Sequence, residues 1–412
     1  MSLYNAQGQR ATLGTGKEAS FGTKATINLW HAFMTMGLKV TDAPIALTGA
    51  RGNIDTAYPV AGGRTITGPV DIESTADTIG FWAAMGMGAQ TTPSTTIVNT
   101  TLSAAAIVGA TSFTLTSGLN VFPGMILQFD TSTNLETLTI ATVQGAAVTT
   151  TTAATKAHAQ GVAVTCTATG AYLSKYTLAP LPSFSMEINR FGPTAGSTLL
   201  GDDFLGCKVE SLAFSFAKGM CKVTPTVKAQ NMVKQATPTT ATLSTKNPFV
   251  FERQASPVLW NATVLGDALL TESSVISVAA SLSNTLTEEW SLGNGPLIRQ
   301  FLEGVRTASG SIVLGFETSS AHDAFNAAVS NGQKPSVQLT VPIQGTDFAD
   351  SSTGTPFALT MVLPKIYLSS WDGGDKSTGP LRQTVAFSAH PSGNGTNDSV
   401  TLYAISTNAA VY

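Results

Sequence analysis

Along most of this chain, hydroxyl residues alternate with Val, Ile, Leu or Phe, as in Arg64-Thr65-Ile66-Thr67-Gly68 and Ser112-Phe113-Thr114-Leu115-Thr116. A period of two with β-branched residues suits half-buried strands. The period changes after Ser74-Thr75-Ala76-Asp77, where Ile79, Trp82 and Met85 recur at helical spacing. The S-x-x-D tetrad is an acidic relative of the capping box, and Gly86-Met87-Gly88 supplies a stop. The pattern predicts a mainly β body with one helix packed on it.

The unit occurs twice. Arg306-Thr307-Ala308-Ser309-Gly310 repeats Arg64–Gly68, with a glycine two positions upstream of each (Gly62, Gly304). With one two-residue slip, Glu73, Phe81, Ala83, Ala84 and Gly88 fall on Glu317, Phe325, Ala327, Ala328 and Gly332. Ser320-Ala321-His322-Asp323 opens the second predicted helix, Phe325, Ala328 and Val329 face its sheet, and Asn331-Gly332 closes it.

Farther on, Leu181–Ile188 resembles Phe357–Leu363, and Ala213-Phe214-Ser215 resembles Ala386-Phe387-Ser388. Arg64 to Met186 is 122 positions and Arg306 to Met361 is 55, an excess of 67 in the first copy. That excess nearly matches the Thr-, Ala- and Val-rich stretch from Thr95 to Cys166, whose alternating runs and Gly/Asn turns read as a small all-β insertion. The expected organisation is a first module split into 1–94 and 167–238, a guest at 95–166, and a second module at 239–412. Each module is expected to be a β-sandwich or barrel with one flanking α-helix. The polar Thr/Pro stretch 232–247 is the expected linker, residues 1–25 an arm or edge strand, 408–412 a short C-terminal arm, and 49–63 a protruding contact loop.

Composition sharpens this picture. Charged residues are only 11% of 412 and hydrophobic residues 43%, against about a quarter charged in ordinary soluble domains. Low charge with high hydroxyl content suggests broad surfaces buried in an assembly. The net charge of −3 offers no basic footprint for gripping phosphates. Three cysteines, Cys166, Cys207 and Cys221, are too few for a disulfide framework and read as buried thiols. The N-terminus lacks a basic-then-apolar leader, and no run approaches the ~18 apolar residues of a membrane span. Synthesis and folding in the cytoplasm, with no membrane partner, are expected.

Candidate chemistry is scarce. His31, His158, His322 and His390 stand far apart, without a companion at metal-ligand spacing. Gly14-Thr15-Gly16-Lys17 superficially resembles a phosphate loop, but Ala11 replaces the leading glycine and Glu18 stands where a hydroxyl must reach magnesium. Asp202-Asp203 and Glu288-Glu289 are adjacent pairs, which on a strand point to opposite faces, so solvated positions are expected. Asn261-Ala262-Thr263 has the form of a glycosylation triplet, which means nothing without secretion. No catalytic, cofactor-binding or metal-binding residue is assigned, and no cofactor is expected.

The repeated unit, the Leu181-Pro-Ser-Phe-Ser-Met-Glu-Ile188 strand and the Val209-Glu-Ser-Leu-Ala-Phe-Ser215 strand together resemble the major tail tube proteins of long, non-contractile-tailed bacteriophages. Ser281–Gly293, Phe387–His390 and Leu402–Ile405 continue the likeness, and the guest (Gly109–Thr116, Pro123–Ile126, Ala157–Val164) resembles a small β-module of phage structural proteins. The resemblance implies a non-enzymatic virion protein whose rings stack into a tube. Its partners would be further copies of itself, the tape measure protein, tail terminator and tip proteins, and double-stranded DNA passing through the lumen without sequence-specific binding. Members of that family carry one tube module as a rule; two here imply a trimeric ring with pseudo-sixfold symmetry and the guest outside. The loop 49–63, its counterpart near 291–303 and both termini are the expected ring-to-ring contacts. The alternatives are another phage tail part, such as a terminator or baseplate protein, or a bacterial surface appendage or adhesin subunit. An enzyme would need two convergent carboxylates in a cleft.

Overall fold

The computed structural model describes residues 11–49, 58–191, 198–235, 237–251, 258–261, 270–272, 275–315, 336–372, 382–391 and 398–412. It is mainly β. One antiparallel run of strands, each bonded to the next, passes through Lys39–Asp42, Arg64–Glu73, Lys222–Ala229, Thr198–Phe216, Val275–Ser283, Thr307–Gly315, Arg382–His390 and Thr355–Asp372. A second set packs behind it. Thr12–Lys17 lies between Leu29–His31 and Phe184–Phe191, and the latter pairs with the first half of Thr198–Phe216. Thr198–Phe216 has 19 residues and Thr355–Asp372 has 18, so each serves both sets and closes a corner.

The pairing order occurs twice, and so do its irregularities. Register shifts interrupt Phe33/Thr35 and Val275/Ser277 on one strand, Phe184/Met186 and Val337/Leu339 on another, and Val209/Ser211 and Leu368/Ser370 on a third. A bulge adds one unpaired residue and bends its strand, so three matched bulges fix the correspondence residue by residue. Gly68 opposes Val227, which opposes Val209; Gly310 opposes Phe387, which opposes Leu368. Phe184–Phe191 therefore corresponds to Ser336–Asp350. Ala213–Ser215 lies in the counterpart of Thr355–Asp372, one strand away from Ala386–Ser388. The sequence match of these two pairs of segments is corrected by one strand, because apolar–hydroxyl alternation is alike in neighbouring strands. By register, Gly68 to Phe184 spans 116 positions and Gly310 to Val337 spans 27, an excess of 89 and not 67.

Within that excess, Thr96–Thr101, Ser112–Thr114, Ile126–Phe129, Glu136–Gln144, Ala147–Thr150 and Ala163–Thr167 form a six-stranded sheet. Phe113, Phe122, Phe129 and Leu138 fill its core, and Ala358 and Ile405 join them from the other half of the chain.

The helix Ala76–Met87 starts at Thr75, not Ser74, with Thr75 and Thr78 hydroxyls 2.8 Å apart, and ends at Gly88 (φ 104°). A side chain at Gly88 would collide with the Ala179 carbonyl. Ile79, Trp82 and Met85 are buried as expected, but so is nearly every other helix residue. Strand Thr401–Ser406 and Tyr412 cover the face that a surface helix would leave polar; the Tyr412 ring meets Phe81 edge-on at 5.7 Å and its hydroxyl donates to Asp77 O. The predicted second helix, with His322, lies outside the described residues.

Three local expectations change. Thr12–Lys17 is paired on both sides, not an arm or edge, because Gly14 and Gly16 let Trp30 and the Thr26 carbonyl approach closer than any Cβ would allow. These glycines serve strand packing, not phosphate. The linker begins later than 232, since Asn231–Lys234 is a strand against Asp202–Leu205, and Thr239 donates twice to buried Glu187. The C-terminal arm folds back on the helix, with Lys17 Nζ donating to Tyr412 O at 2.6 Å.

His31 is a core residue. Trp82 Nε1 donates to its Nδ1 at 3.2 Å, so Nε2 carries the proton and donates to Thr15 Oγ1 at 2.7 Å. Burial lowers its pKa from 6.5 to about 3. The folded state therefore refuses a proton that the unfolded chain accepts. Stability is full above about pH 6.5 and falls as pH drops towards 3, by on the order of 2 kcal/mol at about pH 4.5. Urea midpoints at about pH 7 and about pH 4.5 check this. The wild type should lose stability between them, and His31→Gln, which keeps a donor and an acceptor without titrating, should lose much less. Equal wild-type midpoints would refute it.

Candidate assembly surfaces

The described parts of the two segments expected to make ring-to-ring contacts lie side by side. After Lys39–Asp42, Ile45 and Val60 exchange backbone hydrogen bonds of 2.8 and 3.0 Å, and Tyr58 beyond them is 91% exposed. Residues 50–57 fall outside the described set. The counterpart is a hairpin, Leu286–Glu289 with Gln300–Glu303, whose turn leaves Leu292 fully exposed and Trp290 partly so. The Trp290 ring lies over Gly63, where a Cβ would come within 2.6 Å, and Arg64 N donates to Pro296 O at 3.1 Å. Leu286, Ile298 and Phe301 root the hairpin against Leu181 and Phe21. The result is an apolar tip on a fixed base. Ile45, Tyr58, Val60 and Leu292 are far apart in sequence, and only the repeat pointed to both segments.

Glu303 anchors the hairpin's return strand. Burial alone would raise its carboxyl, but bonds from Lys208 Nζ (3.0 Å), Leu181 N (2.9 Å) and Arg306 Nη2 (2.8 Å) outweigh burial and hold it below the usual range. Arg306 also donates to the Ala179 carbonyl. Among the described residues the side chain of its repeat partner Arg64 pairs with exposed Asp42, at 3.0 Å.

The carboxylate pairs are not solvated. Asp202 binds Arg190 and Asp203 binds Lys24, both at 2.6 Å, and both aspartates are buried. Glu187, opposite Asp203 in the ladder, is fully buried and takes bonds from Asn189 and Thr239, with Lys24 at 3.9 Å. The correction follows from packing: the strands face an inner layer on one side, so a charge there must be paired. Glu288 and Glu289 are half-buried, near Lys228 and Arg299 at 3.9 and 3.8 Å. His158, buried in the six-stranded sheet, sits 3.1 Å from Glu136 and 3.6 Å from Asp130, a juxtaposition their separation in sequence concealed. His390 is exposed and bonds Ser388 at 2.9 Å. Cys166, Cys207 and Cys221 are all buried. Among the described residues no group of three metal-ligating side chains converges, and no helix is long and apolar enough to cross a membrane.

The six-stranded sheet is docked on the turn 350–354. Asp350 accepts from Thr169 N at 2.7 Å and from Ser352 and Thr353, and Ile126 N donates to Thr353 O. Burial opposes this carboxylate, yet those bonds win and hold its pKa at about 2.

Exposed sheet edges, an apolar tip and ion pairs that neutralise buried charge make up a structural subunit more than a site for chemistry. The sequence profile of the family described as phage tail tube protein matches residues 8–389, and the chain belongs to that family. It is thus a structural component of a phage tail. A solved structure, the virion of a native gene transfer agent particle, is similar over 32% of this chain and 88% of its own, at 18% identity and a TM-score of 0.24. No curated protein matches.

Asp350→Ala should strip Thr169 N of its partner and loosen the docked sheet, at a cost of about 1–3 kcal/mol. Because the carboxyl is depressed in the folded state, its contribution is present above about pH 4 and fades towards pH 2. Chemical denaturation at neutral pH tests the substitution; an unchanged midpoint would show that Asp350 does not hold the junction.

Proposed function

We propose that this chain is the repeating subunit of a long, non-contractile phage tail tube, in which three copies close a ring of six similar modules and rings stack axially. Modules of 1–94 with 167–238, and of 239–412, would stand side by side, with the guest 95–166 on the exterior. The observation that carries this reading is the duplicated pairing order with its three matched bulges. Two like modules joined in one sheet are a third of a pseudo-sixfold ring. The docking of the six-stranded sheet on Asp350 supports a guest that braces both modules.

The face of the long sheet turned away from the core supports a lumen. The cross-strand row Asp71, Thr224, Ala213, Ser281, Ser309 and Ser388 runs through both halves as small or hydroxyl residues, and Asp71 is the one charge in it. Lys228 on the same face is neutralised by Glu210 at 2.9 Å. The row itself carries no Lys or Arg, whose contacts to phosphates would hold DNA in place; exposed Lys39, Lys222, Lys365 and Arg382 lie beside it on the same face. Double-stranded DNA and the tape measure protein would occupy that channel, terminator and tip proteins its ends, and the apolar tip at Tyr58 and Leu292 would meet the next ring.

Electron microscopy of the concentrated purified protein is the test. Hollow tubes with a regular axial repeat and threefold rings are the expected result. Capped single rings at one copy set per virion would point to a terminator or baseplate part, and sixfold rings of six chains would refute the two-module arrangement.

A further inference from the structure

The two halves of the chain are joined by a strand ladder. Ser211–Phe216 pairs with Val278–Ser283, with Ser211 opposite Ser283, Leu212 opposite Leu282 and Ala213 opposite Ser281. The register of the repeat translates each partner. Thr307 opposes Ser283 as Thr65 opposes Thr41, and the same offset equates Val40 with Leu282 and Lys39 with Ser281. On the other side, the bulges equate Ser211, Leu212 and Ala213 with Ser370, Trp371 and Asp372.

Among the described residues the translated edges have no partner where the originals do. Lys39–Asp42 is exposed at all four positions, and Val40 is 38% exposed whereas its equivalent Leu282 is 3% exposed. Asp42 is exposed whereas its equivalent Asn284 is fully buried, donating from its amide to Glu210 O and from Nδ2 to Val209 O and Gly86 O. Among the described residues, Ser370–Asp372 pairs with Arg382–His390 alone.

We infer that Lys39–Asp42 of one chain pairs antiparallel with Ser370–Asp372 of a second copy, Thr41 opposite Ser370, Val40 opposite Trp371 and Lys39 opposite Asp372. The contact is heterologous, so repeating it closes a ring when the rotation permits. It pairs two rows of backbone groups that have no partner among the described residues, covers Val40 as Leu282 is covered, and places Lys39 and Asp372 at opposed register positions. The inference rests on the ring reading and specifies its seam.

Directly opposed residues stand about 4.5–5.5 Å apart between Cα atoms, within disulfide reach. Thr41→Cys/Ser370→Cys, oxidised after assembly, should give covalent dimers and closed trimers on a non-reducing gel. Thr41→Cys/Lys365→Cys, displaced along the strand by five residues, should give none. Both substituted sites of the first pair are exposed, and the native cysteines are buried. Rings that form without the Thr41–Ser370 link, or that link through position 365, would overturn the register and leave the ring reading standing. Wild-type protein that never forms rings would remove both. Should the cysteine variant fail to assemble, charge exchange decides: Lys39→Asp and Asp372→Lys should each weaken ring formation, and the double exchange should restore it. Failure of restoration would refute the pairing.

Discussion

Every strand needs a partner on both edges, and the structure is arranged around that demand. A backbone amide or carbonyl left unpaired away from water costs free energy comparable to a lost hydrogen bond. A sheet that ends in the open is also a template for another chain. The first half of this chain solves the problem at one edge by running its strand Thr198–Phe216 against Val275–Ser283 of the second half. The second pairing across the halves, Tyr172–Leu178 with Thr401–Ser406, does the same on the far side of the helix. The halves are thus joined by ladders as well as by apolar contact, which makes the seam specific in register and not merely adhesive.

The scarcity of charge follows from the same demand. Where strands face an inner layer, an ionised side chain is tolerated only with its counter-charge and hydrogen bonds in place. Lys24 between Asp203 and Glu187, Arg190 on Asp202, and Lys208 with Arg306 on Glu303 meet that condition. Removing Arg190 leaves buried Asp202 without its counter-charge, and removing Lys24 leaves buried Asp203 and Glu187 without theirs. Such groups are weak contributors to net stability but strong selectors against wrong strand registers.

Much of the fold was legible in the sequence because period and repetition are physical signals. Ile79, Trp82 and Met85 marked the helix, and Arg64–Gly68 with Arg306–Gly310 marked the duplication, since an arginine and glycine at fixed spacing are rarer than alternation itself. The later strands were misaligned by one because Ala-Phe-Ser and its relatives satisfy any half-buried strand, and only the bulges, invisible in sequence, fix the count. The strand Thr12–Lys17 was hidden by its glycines, which read as a loop until Trp30 is seen lying against them. The carboxylates were misjudged for a related reason. Whether Asp202 or Asp203 is wet depends on Arg190 and Lys24, and the Lys24 contact joins positions 179 residues apart.

The repeated arginine shows how one motif serves two circumstances. Arg306 is enclosed by Glu303 and the carbonyls of Ala179 and Met87, groups supplied partly by the other half of the chain. Arg64, at the same place in its own unit, has exposed Asp42 as its side-chain partner among the described residues. If duplication had served stability alone, the exposed copy would have had no reason to keep an arginine at an open edge flanked by Val40. Keeping the same residue is economical when the exposed copy also acquires a neighbour. The difference between the two environments is then a measure of what a single chain lacks, and it lies beside Lys39–Asp42, which among the described residues is paired on one edge alone.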